Sequence, residues 1–149
     1  MTPTKLAAAI IGCVLAASAS LADVVTTRAN VSVEQALANL TAAAEAADAT
    51  IFAVIDHQKG AESIGVELRP TVKVIFGHPQ FSTPAIAASQ LMGLLLPLEM
   101  LIWEDADGVV YLSVPEIDHE AKKLGLDHAH PSVEIIEDAL AMMVAAAAG

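Results

Sequence analysis

The stretch from Leu98 to Val114 restricts the possible folds of this chain more than any other. Two runs rich in branched and aromatic residues, Leu98–Glu104 and Val109–Val114, flank the acidic segment Glu104-Asp105-Ala106-Asp107-Gly108. An Asp-Gly pair supplies the positive φ that a tight reversal needs, so the two runs are expected to pair as an antiparallel hairpin. A lone hairpin is marginal in water and needs more strands and an apolar layer on one face.

The rest of the sequence supplies both. Thr50–Asp56 and Leu68–Phe76 read as strands, the second with Val72, Val74 and Phe76 on one face and Pro70 near its start, where a missing amide donor is tolerated. Val24–Arg28 reads as a short opening strand. Val33, Ala36, Leu37, Leu40 and Ala44 recur at helical spacing behind a Ser32/Gln35 capping box. His57–Glu62 reads as a polar loop, and Thr83 as the cap of a helix with Pro84 at its first position. Pro115–Leu124 runs from acids to Lys122 and Lys123, as a helix aligned with its dipole would. After a linker at Asp127–Pro131, the stripe Val133, Ile136, Leu140 and Met143 marks a terminal amphipathic helix. The order is β-α-β-β-α-β-β-α plus that helix. Short connections between neighbouring strands imply an α+β domain: a single, mainly antiparallel sheet with helices on one face.

Residues 1–22 are expected to stand outside this domain. Met1–Lys5 carries one lysine, Leu6–Ala17 is largely apolar, and Ser20 and Ala22 place small residues at −3 and −1 of a cleavage site. That is the pattern of a secretory signal peptide. The run is shorter than the roughly 20 apolar residues that span a bilayer. The expected division is a signal peptide over 1–22, a domain over 23–126, and the linker and terminal helix over 127–149. The expected location is periplasmic or secreted. Ile10-Ile11-Gly12-Cys13 offers the alternative of a lipoprotein anchored through Cys13. Cys13 is the single cysteine, so cleavage after Ala22 would leave no thiol for catalysis or disulfides.

Seven Lys and Arg stand against eighteen Asp and Glu, a formal charge of −11. Such a surface repels phosphate backbones and anionic lipid, which argues against nucleic acid and membrane partners.

Several segments in fixed order resemble one bacterial family, called domain of unknown function 302. They are Ile55-Asp56-His57, Gly65-Val66-Glu67-Leu68-Arg69-Pro70-Thr71, Phe76-Gly77-His78-Pro79, Thr83-Pro84, Leu94-Leu95-Leu96 before Pro97, and Trp103-Glu104-Asp105 with Asp107-Gly108. The resemblance covers about Val24 to Leu126. It implies a compact α+β domain of the TATA-binding-protein-like type and a homodimer, and it brings no established activity. Two positions depart from the family pattern: His78 stands where Asn is usual, and Val114-Pro115-Glu116 replaces Asn-Asp-Pro.

His57, at a strand end beside Asp56, is the first candidate for the wall of a ligand pocket. Glu67 and Arg69 are next, Arg69 because its guanidinium can grip a carboxylate in a bidentate fork. The plainer alternative pairs Arg69 with Glu67 or a neighbouring acid. His78, at a strand-to-helix turn, could meet an anion or simply shape the turn. His119, His128 and His130 form a histidine-rich stretch whose H-x-H spacing could serve zinc or copper, or else be a solvated linker. No nucleophile, base and oxyanion donor can be assembled. The chain therefore reads as an exported binding or interaction module without an assignable reaction, for a small molecule or an envelope protein. The alternatives are a metal- or haem-handling protein using these histidines and an enzyme with His57 as general base.

Overall fold

In the structure, a computed structural model that describes residues 23–149, the hairpin forms as its turn chemistry requires. Strands β4 (Leu98–Glu104) and β5 (Val110–Pro115) pair antiparallel. Asp105 Oδ1 accepts the backbone N–H groups of Asp107 and Val109, both at 2.9 Å, and Gly108 takes a φ of 74°. Those backbone donors, Val109 foremost, hold the Asp105 carboxyl below the ordinary aspartate value. Strand β1 (Val24–Arg28) adds to β5, β3 (Thr71–Gly77) to β4, and β2 (Thr50–Asp56) to β3. The five strands lie in the order β1-β5-β4-β3-β2, antiparallel throughout.

Alternation along the central strands fixes which face is covered. Val72, Val74 and Phe76, then Leu98, Met100 and Ile102, then Val110, Leu112 and Val114 are all buried. Helices α1 (Val33–Ala46) and α5 (Pro131–Ala148) pack against each other over that face. They add Leu40, Ile136, Leu140 and Met143 to one continuous aliphatic core. Each such side chain contributes about 1.5–3 kcal/mol when fully buried. Helices α3 (Pro79–Ala88) and α4 (Ile117–Lys123) flank α5 on the same side. The fold is thus α+β, one antiparallel sheet with its helices on one face. On the other face Ile75, Leu101, Trp103 and Tyr111 are partly covered, and Lys73 pairs with Glu99 across the strands. One wet face is ordinary for an antiparallel sheet. The proposed leader and Cys13 lie outside the described residues. No helix among the described residues is long and apolar enough to cross a membrane.

Local chemistry overrides the sequence pattern in four places. His57–Glu62 is a short helix, α2, and not a loop, because Asp56 accepts the Lys59 N–H at 2.9 Å and caps it. Strand β3 begins at Thr71 and not at Leu68. Pro70 has no amide to donate; its carbonyl accepts the Glu104 N–H at 3.0 Å, and the Arg69 side chain returns a bond to the Glu104 carbonyl at 3.0 Å. Helix α3 starts at Pro79, with His78 as its cap, so Thr83 and Pro84 fall inside the helix. The capping box at α1 is half made: Ser32 Oγ accepts the Gln35 N–H at 3.2 Å, but the Gln35 side chain turns forward to Asn39.

Candidate functional site

The end of the sheet where β2 stops and β3 starts brings several of the expected residues together. Asp56 is the last residue of β2 and the cap of α2, and its second oxygen lies 3.3 Å from Lys59 Nζ. The Lys59 backbone N–H, helped by its ammonium, holds the Asp56 carboxyl below the ordinary aspartate range. Helix α2 ends as Ser63 Oγ donates to the Gly60 carbonyl at 2.6 Å, and Gly65 reverses the chain at a φ of 73°. Residues 66–69 then run back, exposed, to β3. Between this return and α2 lies an open cleft of about 520 Å³, lined by Gln58, Glu62, Val66, Glu67, Leu68 and Arg69. Glu67 and Arg69 thus share one wall. The Arg69 Nε is committed to the Glu104 carbonyl, so the guanidinium is oriented by backbone and not by Glu67. His57 is exposed in the first turn of α2 and does not line this cleft.

A second cleft of about 450 Å³ lies on the other side of Gln58, between α2 and the first turn of α1. Asp56 and Glu104 reach it from the helix-covered face of the sheet, where their strand neighbours Val54 and Ile102 also point.

The remaining histidines are spread over the molecule and do three different jobs. His78 Nδ1 accepts the Gln80 N–H at 3.1 Å; its Nε2 is 3.8 Å from Asp48, and its ring lies 5.5 Å from Phe81. It also borders an apolar cavity of about 30 Å³ that Leu96, Ile136 and Met143 help to close, room for little beyond a water molecule. His130 Nδ1 accepts the Ser132 N–H at 3.2 Å and caps α5 in the same manner. His119 Nε2 lies 3.0 Å from Asp23, which also binds Lys123 Nζ at 3.0 Å. That ammonium is the chief reason the Asp23 carboxyl sits below its usual value. Lys123 is raised in turn, first by Glu120 and then by Asp23. His128 is exposed. Among the described residues, no three His, Cys, Asp or Glu side chains gather as a metal ion would require.

Sequence reasoning missed both histidine caps. The signal was present: His-Pro occurs at His78-Pro79 and again at His130-Pro131, each time with proline at the start of a helix. Thr50–Asp56 reads correctly as a strand, but nothing in the sequence marks it as an apolar edge of the sheet. Phe52, Val54 and Ile55 on it are 57%, 48% and 40% exposed, and Ile64, Val66 and Leu68 after α2 are exposed as well. Among the described residues, half of the exposed large apolar side chains therefore fall between positions 52 and 68.

The sequence and the fold both have relatives. Over 98 residues, 64% of its length, the chain is 37% identical to a protein of Brucella suis biovar 1 (strain 1330) named Fluoride-specific ion channel FluC 1. A protein of the same name from Brucella abortus biovar 1 (strain 9-941) is equally similar. The matched stretch spans 39% and 36% of those two proteins, well under half of each. Among solved structures, an uncharacterized conserved protein DUF302 from Bacillus stearothermophilus shares the fold, with a TM-score of 0.74 and 14% identity over 83% of this chain and 97% of that one. Residues 25–147, nearly everything the structure describes, match a single family, and the chain belongs to it: the family described as Domain of unknown function DUF302.

Proposed function

We propose that the protein is an exported interaction module that acts as a homodimer, joined through the free edge of β2. The observation that carries this reading is the state of that edge. Among the described residues, nothing pairs with the outer side of β2, which offers backbone donors and acceptors, and Thr50 to Ile55 carries no charge. Natural edge strands are usually guarded by lysine, proline, shortness or a bulge. Strand β2 has a register irregularity between Ile51 and Ala53 but no charge or proline, and an apolar edge of this kind invites a further strand. The opposite edge, β1, is five residues long, ends in Arg28, and follows Asp23 with its bound Lys123. An edge that meets its own copy about a two-fold axis satisfies both sets of backbone groups at once. The exposed side chains between Phe52 and Leu68 supply apolar area beside the seam.

The relatives are consistent with a module that works in contact with other protein. In the Brucella proteins named as fluoride-specific ion channels, a similar stretch is one part of a longer chain. Export rests on the signal-peptide pattern of residues 1–22, and a mature protein beginning at Asp23 is its expected mass-spectrometric signature.

Sedimentation velocity tests the seam. The wild type should sediment as a dimer at micromolar concentration, and Val54→Lys as a monomer with an unchanged far-ultraviolet spectrum. Val25→Lys, at a similarly exposed position on β1, should leave the dimer intact. A monomeric wild type, or a dimer that survives Val54→Lys, would refute the reading.

A further inference from the structure

We propose that the first turn of α3 is an acid-operated lid over the apolar cavity beside His78, and that the His78 imidazole is its latch. This goes beyond dimerisation and does not depend on it.

The latch is a lone pair. The largely buried His78 ring takes the Gln80 N–H on Nδ1 at 3.1 Å, which an imidazole can do only while that nitrogen is unprotonated. The His78 carbonyl takes the Phe81 and Ser82 N–H groups at 3.0 and 3.1 Å. One residue thus holds three amide donors of the turn. The turn has little else to hold it. Pro79 and Pro84 have no N–H to give, and the buried side chain of α3, Ala85, lies beyond the first turn. Segments with few buried apolar contacts open before the whole molecule does. Behind the turn, Phe81 and Ser82 form one wall of the cavity of about 30 Å³, and Ile136, Ala139 and Met143 of α5 form another.

Protonation reverses the latch. An imidazole ordinarily gains its second proton between about pH 8 and about pH 5. Nδ1 then carries a hydrogen that faces the Gln80 N–H, donor against donor, and the new charge sits at the positive end of a helix dipole. Among the described residues, Asp48 in the turn before β2 is the charged group within ion-pair range of the ring, 3.8 Å from Nε2. The surfaces that face the cavity from β3, α3, β4 and α5 are apolar apart from the Ser82 hydroxyl. Asp48 is fully exposed, so its pull is screened, but it acts from the solvent side and draws a cationic ring outward, off the cap. The cap bond is therefore present above the imidazole range and lost as pH falls through it.

Peroxide footprinting of the methionines reads the lid, because oxidation to the sulfoxide follows exposure of the sulfur. Met143 lines the cavity and is 6% exposed, its neighbour Met142 is 63% exposed, and Met100 in β4 is fully buried. Each rate is taken relative to Met142 at the same pH. Oxidation of Met143 should quicken about fivefold between about pH 7.5 and about pH 5.5, the factor that loss of one helix cap implies, while Met100 stays protected. His78→Asn keeps a cap acceptor that does not titrate, so its Met143 should not quicken; His78→Ser serves the same purpose if the first variant fails to fold. His130→Asn, which replaces the other histidine cap, should respond as the wild type does. Equal Met143 rates at the two pH values, quickening that survives in a folded His78→Asn or His78→Ser, its loss in His130→Asn, or Met100 quickening in step would each overturn the proposal.

Discussion

Two histidines hold helix ends in this protein, and each does so as an acceptor. His78 Nδ1 and His130 Nδ1 take backbone N–H groups, so both rings carry their proton on Nε2. Asparagine, whose side-chain oxygen can take the same bond, is among the best cap residues. His78→Asn and His130→Asn should therefore melt within a few tenths of a kcal/mol of the wild type, and the alanine variants about 1 kcal/mol lower. Thermal denaturation of the four variants checks this. A His78→Asn variant as unstable as His78→Ala would point to the Phe81 contact instead of the cap. The caps also explain why the site residues were the least legible part of the sequence. A histidine next to a carboxylate or another histidine looks like chemistry, whereas His78 and His130 spend their lone pairs on backbone amides. Glu67 and Arg69 were legible as neighbours because two residues apart on an extended segment share a side. The partner of Arg69, a carbonyl thirty-five residues away, was not.

The hairpin is the best-determined element and the one with a defined response to acid. Asp105 has its carboxyl held below the ordinary value by the backbone donors of the turn. The linkage runs in one direction: the contribution is complete above the unfolded aspartate value, near 4, and is lost as pH falls through the lower folded value. Asp105→Asn keeps an oxygen for Val109 and Asp107 and removes the charge. Its melting temperature should fall less steeply than that of the wild type between about pH 4 and pH 2. Equal slopes would show that Asp105 adds nothing to the acid response. The other strands were readable because burial on one face imposes a period of two, clean in Val72, Val74 and Phe76. Helix α2 was not readable. Six residues are too few to show a helical period, and its existence depends on Asp56 bonding one amide three residues on.

For the whole molecule, sheet and helices share one core, and α5 contributes to it as fully as any strand. Leu112 lies at its centre, with no exposed surface. Leu112→Ala should cost about 2–5 kcal/mol through lost transfer energy and the cavity left behind. Chemical denaturation should show that loss with an unchanged slope against denaturant. A loss under about 1 kcal/mol would mean that the neighbouring side chains collapse into the gap. The sheet-and-helix architecture was legible because it follows from alternation and short turns. Which edge stays open was not, since strand order depends on long-range pairing that no local pattern encodes.

The open face of the sheet carries the chain's single tryptophan, Trp103, stacked on Tyr111 at 5.1 Å with its indole N–H given to Ser113 at 3.0 Å. An indole so placed is an optical gauge built into the protein. Its emission colour will register anything that settles on that side of the sheet and will stay silent to events among the helices behind it, with no label attached.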